Sequence, residues 1–270
     1  MEKSVFEELF IMEKMDYGET EKIWDVRAQE FNINQKNDKT RFPDKVTALL
    51  NEKNILSGAD VLDVGGGSGR YAIPFAAYAH SVTLTDLSYN MLQNAEANAK
   101  EARLNNLNFV KMEWTNAEIK ALEWEKKFDL VFASMCPAVR SLRGLENMSL
   151  ASKGYCLINQ FVYDNDSVCE YLDTELKIKK GTSPHNDRKA VQGFFNVLWM
   201  DGYEPEMGYL KFNEETEIDI NEAISNYSIK YDQILKEKNN DIAELLSKLV
   251  KDGKIKVATK KTVATILWHV

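Results

Sequence analysis

The stretch Val61-Leu-Asp-Val-Gly-Gly-Gly-Ser-Gly69 decides how this chain reads. Its first four residues are mostly apolar and predict a buried strand. Gly65, Gly66, Gly67 and Gly69 then make a turn that can adopt positive φ, and their missing side chains let a ligand approach the main chain. A helix is expected from about Arg70 onward. Strand, glycine turn and helix in that order can cradle a nucleotide. A dinucleotide fingerprint, G-x-G-x-x-G, would need a further glycine where Arg70 stands, and a P-loop would need Gly-Lys-Ser/Thr. The loop is nucleotide-like and fits neither phosphate fingerprint.

Downstream, Val82-Thr-Leu-Thr-Asp86 predicts a second strand that ends in a carboxylate. An acid at that place can accept both hydroxyls of a ribose. Ser88 is placed to cap the helix that follows. Strands are expected at residues 60–64, 81–85, 107–111, 128–133 and 154–161, with helices between them such as 89–103. Apolar strands alternating with helices predict a parallel sheet covered on both faces. Upstream, residues 1–53 read as helical. Ser4 and Glu7 are spaced as a capping box, Trp24, Arg27, Ala28 and Phe31 share one helical face, and Pro43 suits a first helical turn. In the tail, a helix is expected over 188–200, a strand over 207–212 and a closing strand over 262–270. Between those strands, Ile242, Leu245, Leu246 and Leu249 fall at helical spacing.

The composition is that of an ordinary globular protein: 270 residues, 44% hydrophobic and 28% charged. A net charge of −8 argues against a nucleic-acid-binding surface, although Lys177, Lys179 and Lys180 sit together. Cys136, Cys156 and Cys169 are odd in number and lack CxxC spacing. With no signal-peptide pattern at the start, they read as free thiols of a cytoplasmic protein. No apolar run is long enough for a membrane helix. The three histidines and three cysteines show no metal-ligand spacing, so no metal is expected.

Four segments resemble the class I S-adenosylmethionine-dependent methyltransferases. Asp63-Val-Gly-Gly-Gly-Ser-Gly69 is similar to their first motif, D/E-x-G-x-G-x-G. Leu84-Thr-Asp-Leu-Ser-Tyr-Asn-Met-Leu92 resembles the acidic strand end and following helix. Phe109-Val-Lys-Met-Glu-Trp114 resembles the third-strand segment, and Phe128-Asp-Leu-Val-Phe-Ala-Ser134 the fourth-strand motif. The resemblance covers roughly residues 58–165. It implies a Rossmann-like, mostly parallel seven-stranded α/β sheet with helices on both faces. It also implies one methyltransferase domain over residues 1–270, in four parts: an N-terminal helical cap (1–53), a cofactor-binding core (54–212), a helical insert or lid (213–258) and a closing strand (259–270).

The cofactor the resemblance implies is S-adenosyl-L-methionine. Gly65, Gly66, Gly67 and Gly69 would border its methionyl part, with Asp63 organising the amino group. Asp86 would hold the ribose, and Leu87 would lie beside the adenine. Glu113 and Trp114, where the family often has Asp-Ala, would meet the adenine edge or face. Ser134 would lie near the sulfonium. Trp24 and Phe31 belong to a segment similar to a cofactor-covering N-terminal helix.

Methyl transfer from a sulfonium needs alignment and exclusion of water, and no fixed triad. If the acceptor must lose a proton, His185, in a polar loop, is the candidate general base. Ser134-Met-Cys-Pro-Ala departs from the Asn/Asp-Pro-Pro-aromatic form that accompanies amide and base-nitrogen acceptors. The expected acceptor is an unidentified small molecule, enclosed by the insert and the N-terminal helices, with Tyr227 and Tyr231 as lining or core residues. Two alternatives stay open: a non-catalytic or regulatory S-adenosylmethionine-binding protein, and a macromolecule methyltransferase.

Overall fold

A computed structural model describes residues 2–12, 16–178 and 186–270. They contain a seven-stranded sheet in the order β3-β2-β1-β4-β5-β7-β6. The strands are β1 (Asp60–Val64), β2 (Ser81–Asp86), β3 (Leu107–Lys111), β4 (Phe128–Ser134), β5 (Ser152–Asp166), β6 (Glu206–Asp219) and β7 (Lys254–His269). The helices that precede β3 are α1 (Lys3–Glu7), α2 (Tyr17–Lys36), α3 (Phe42–Glu52), α4 (Ala72–Ala76) and α5 (Tyr89–Glu101). Those that follow β4 are α6 (Leu142–Ala151), α7 (Ser167–Glu175), α8 (Arg188–Met200), α9 (Ile220–Lys238) and α10 (Ile242–Ser247).

The first five strands pair in parallel, with β1 between β2 and β4. Parallel strands covered by helices are buried on both sides, which is why β1 and β4 read as near-continuous apolar runs and why even the threonines of β2 are buried. The chain order reverses at β1. To one side lie β2 and β3, to the other β4 and β5. Open α/β sheets bind ligands at such a reversal, beyond the carboxyl ends of the strands.

The chain divides into two compact units. The first comprises Met1–Gln160, Arg188–Leu210 and Ala264–Val270, and the second Phe161–Asp187 and Lys211–Val263. The unit boundaries fall within β5, β6 and β7. A main core of the first unit gathers Val46 and Leu50 of α3, Val61, Leu84, Phe132 and Leu157 of the sheet, and Phe75 of α4. The second unit has its own core of Val168, Leu172, Tyr227, Tyr231, Leu246 and Ile255. Residues 213–258, expected as an insert before the last strand, lie in the second unit, together with 161–187, which the sequence reading had not joined to them. Tyr227 and Tyr231 pack in that core.

Three strands are longer than their sequences suggested. β6 was expected over 207–212 and runs to Asp219 through Asn-Glu-Glu-Thr-Glu. It ends the sheet order, and an edge strand needs little apolar character on its solvated face. β5 and β7 likewise extend through mixed polar segments. The Ser4–Glu7 capping box is not formed, because α1 already begins at Lys3 and its N-cap is Glu2, without a side-chain cap. Pro43 does sit in the first turn of α3, and Ser88 caps α5 by accepting the Met91 N–H at 3.1 Å.

Candidate cofactor site

The glycine turn leaves β1 at Val64 and enters α4 at Ala72, so its main chain lies at the carboxyl edge of the sheet. Gly65 has φ +65° and Gly67 φ +56°, conformations that a side chain disfavours. A Cβ on Gly65 would run into the Cys136 sulfur, and one on Gly66 would come within 2.7 Å of Asp63 Oδ2. The glycines are therefore demanded by packing as well as by φ. Cys136 fills the space behind Gly65, and burial pushes its thiol up to about 12, so it stays protonated and inert at neutral pH.

Asp86 ties the second strand to this turn. Its Oδ2 accepts the Gly67 N–H at 2.9 Å and its Oδ1 the Ser88 N–H at 2.9 Å. A carboxylate offers roughly four lone-pair positions, so acceptor capacity remains for a ligand's hydroxyls. Burial raises the Asp86 pKa, while the backbone N–H groups of Ser88 and Gly67 pull it down. Leu87 follows on the same loop, half-buried.

Asp63 lies beneath the turn with 1% exposure, and its Oδ2 has no hydrogen-bond partner. Burial, and then the neighbouring charge of Asp86, push its carboxyl up to about 7. A buried acid with an unused oxygen is a site that welcomes a cation. The Gly65–Gly69 cradle, the unfilled acceptors of Asp86 and the unpaired Asp63 oxygen together fit adenosyl, ribose and ammonium groups.

Helix α2 covers this edge. Trp24 and Phe31 meet edge to face at 6.1 Å, and Phe31 Cε1 would be 3.3 Å from a Cβ on Gly67. The sequence reading singled out those aromatics and missed the polar stripe beside them. Asp25 accepts the Ser88 hydroxyl at 2.5 Å and the Asn90 N–H at 3.1 Å. Asn32 accepts from Asn98 at 2.7 Å, and Gln35 from the Ser68 hydroxyl at 3.2 Å. Asp38, just past the helix, pairs with Arg70. Asp25, Asn32 and Gln35 recur at i, i+7 and i+10, one face of a helix, and that spacing was visible in the sequence.

At the β3 corner, the side chains of Glu113 and Trp114 are engaged within the fold. Glu113 caps its own turn, accepting the N–H groups of Thr115 at 2.8 Å and Asn116 at 2.7 Å. Trp114 is buried, its indole N–H donated to the Gly144 carbonyl at 2.9 Å. Ser134 ends β4, half-buried, and Met135 after it has φ +52°, a strained value for a residue with a side chain. His185 lies outside the described residues. His269 stacks edge to face on Tyr155 at 4.8 Å, a packing role.

A family model described as a methyltransferase domain matches residues 61–149, the span from β1 into α6. The chain is also similar to proteins named ubiquinone biosynthesis O-methyltransferase. The match is 36% identity over 88 residues in Rickettsia akari, covering 33% of this chain and 32% of that one. In Rickettsia felis it is 29% over 123 residues, covering 44% and 48%. The chain thus spans between about a third and a half of the curated relatives it matches. Among solved structures it resembles the YcgJ protein of Bacillus subtilis, with 17% identity, a TM-score of 0.51, and 82% of this chain and 97% of that one covered. A protein of Bacillus halodurans C-125 assigned to the methyltransferases gives 16% identity and the same TM-score over 83% and 97%. At that identity the likeness shows the fold alone. Among the described residues, no helix is long and apolar enough to cross a membrane.

Proposed function

We propose that this chain transfers a methyl group from S-adenosylmethionine to a small-molecule acceptor. The observation that carries the reading is the bond from Gly67 N–H to Asp86 Oδ2, which locks the glycine turn to the acidic end of β2. That lock places a backbone cradle beside a carboxylate with acceptor capacity to spare, as an adenosyl cofactor requires.

When bound, S-adenosylmethionine supplies an activated methyl group on a sulfonium. Asp86 would hold the ribose hydroxyls, with Leu87 beside the adenine. The main chain of Gly65 to Gly67 would border the methionyl part, and Asp63 would balance its ammonium charge. The Glu113–Trp114 segment borders the adenine through its main chain, since both side chains are occupied. Trp24 and Phe31 close α2 over the turn, which excludes water and aligns donor with acceptor. Ser134 and Met135, at the end of β4, would border the methyl group. A small acceptor is favoured by that cover and by the names of the Rickettsia relatives. His185 is the candidate base where the acceptor must lose a proton. The three buried, unpaired cysteines favour a reducing, cytoplasmic setting.

The experiment is to incubate the protein with S-adenosylmethionine and metabolite extracts, then read mass gains of one methyl group beside S-adenosylhomocysteine release. Growth of a small-molecule product supports the reading. Cofactor binding without turnover on any extract would favour a regulatory binding protein instead.

A further inference from the structure

The last first-unit stretch of β5 carries an unused polar group. Asn159 is 0% exposed, and neither its Oδ1 nor its Nδ2 has a hydrogen-bond partner. Its backbone is fixed: it pairs in register with Ser134 of β4, and its carbonyl accepts the Met135 N–H at 3.0 Å. Buried amides are ordinarily satisfied, and leucine or methionine would fill the same space without the penalty. A group this deep with both functions unused calls for a partner.

Its surroundings indicate which partner. Alternation along the strands puts Phe132 and Ser134, and Leu157 and Asn159, on one face of the sheet. Tyr71 lies on that face, its ring 4.9 Å from Phe132. The Tyr71 hydroxyl is near Ser134 and Asn159 without the distance and alignment of a formed hydrogen bond to the amide, and burial keeps the phenol protonated. Asp63, on the same face two strands away, leaves Oδ2 unpaired, and its charge reaches Tyr71. Asp63, Tyr71, Ser134 and Asn159 thus cap the apolar core of Phe132 and Leu157 with polar groups at the ligand-binding edge.

We propose that Asn159 is a recognition residue for the amino-acid end of the cofactor, an inference that rests on the cofactor assignment above and extends it. A zwitterionic α-amino acid carries an anion and a cation on one carbon. The Asn159 amide offers an unused donor for the carboxylate and an unused acceptor for the ammonium group. Asp63 Oδ2 supplies a second, negatively charged acceptor. A phosphate would leave Asn159 Oδ1 unpaired and would face the Asp63 carboxylate. A lone hydroxyl would satisfy the amide and leave Asp63 without a counter-charge.

The test compares two probes that share adenosine and sulfur but differ in the amino-acid end. S-adenosylhomocysteine has that end, and 5′-methylthioadenosine lacks it. Both are titrated calorimetrically into the wild-type chain, Asn159→Leu and Asn159→Asp, with melting curves to confirm that each variant folds. Asn159→Leu should weaken S-adenosylhomocysteine by about tenfold or more, the loss of a hydrogen bond to a charged group, and leave 5′-methylthioadenosine unchanged. Asn159→Asp keeps the shape and places a negative charge at the carboxylate. It should show the same selective loss, and it carries the test alone if the leucine variant does not fold. Equal effects on both probes, or none on S-adenosylhomocysteine, would overturn the assignment and leave Asn159 a structural amide. A wild-type chain that binds neither probe would instead refute the cofactor assignment.

Discussion

The two units differ in how completely their buried polar side chains are paired. Among the described residues of the second unit each such group has a partner. Tyr227 donates to Asp166 at 3.1 Å, Tyr231 to Asp173 at 2.8 Å, and Lys230 to the Cys169 sulfur at 2.9 Å. Asp166 also accepts the Cys169 N–H at 2.7 Å, capping α7. In the first unit, Asp63 Oδ2, Arg70 Nε and both amide atoms of Asn159 have none, and among the described residues these are the buried side-chain atoms left unpaired. Asp63 and Arg70 flank the glycine turn, and Asn159 faces Ser134. Satisfied polarity specifies a structure, whereas unsatisfied polarity gathered at one sheet edge is what the proposed ligand site would require.

The largest effect should come from Gly65→Ala. The new Cβ meets Cys136 in a backbone region that side chains disfavour. Strain and overpacking together should cost about 2–4 kcal/mol and destroy cofactor binding. Thermal melts and calorimetry check both, and a variant that binds normally would mean the turn is not part of the site. Asp86→Ala should follow, weakening S-adenosylhomocysteine by about 1.5–3 kcal/mol through lost bonds to a charged group. An unchanged dissociation constant would reduce Asp86 to a turn residue.

Asp63→Asn separates stability from function. The folded pKa is about 7 against an ordinary 3.8, so the native state resists ionisation. That cost is absent at low pH, grows as pH rises from about 4 to 7, and is complete above 7. The variant should therefore melt higher than wild type near pH 8, by on the order of 1–3 kcal/mol, with the gain gone near pH 4. Its affinity for S-adenosylhomocysteine should fall. In the wild type a cationic ligand favours ionised Asp63, so affinity should drop as pH falls below about 7. A flat pH profile would show that Asp63 does not face the ligand. The smallest effect should be Tyr231→Phe, which leaves Asp173 short of one donor: about 1 kcal/mol of stability lost and cofactor affinity unchanged.

The parts of this molecule that could be read from sequence are those with one physical cause. β1 and β4 follow from apolar runs, β2 and β3 from short stretches of mixed apolar and polar residues, and the turn from its glycines. Asp86 was singled out because a carboxylate at a strand end can accept ribose hydroxyls, and in the structure it accepts the Gly67 and Ser88 N–H groups. β6 was not legible, because an edge strand carries no apolar signature through Asn213-Glu-Glu-Thr-Glu217. The second unit joins 161–187 to 211–263, a long-range association that periodicity cannot report. Asn159 and Gln160 stand together in the expected strand 154–161 and drew no reading, because any role for Asn159 depends on Tyr71 and Ser134 from other elements. Trp114 drew attention as an aromatic at the adenine corner, yet its indole is committed to Gly144.

Calorimetric titration of the purified chain with S-adenosylhomocysteine, with NAD as the control, tests the cofactor site most directly. The expected result is saturable one-to-one binding of the adenosyl compound, no heat from NAD, and loss of the signal in Asp86→Ala. Tight NAD binding with no heat from S-adenosylhomocysteine or S-adenosylmethionine would contradict it.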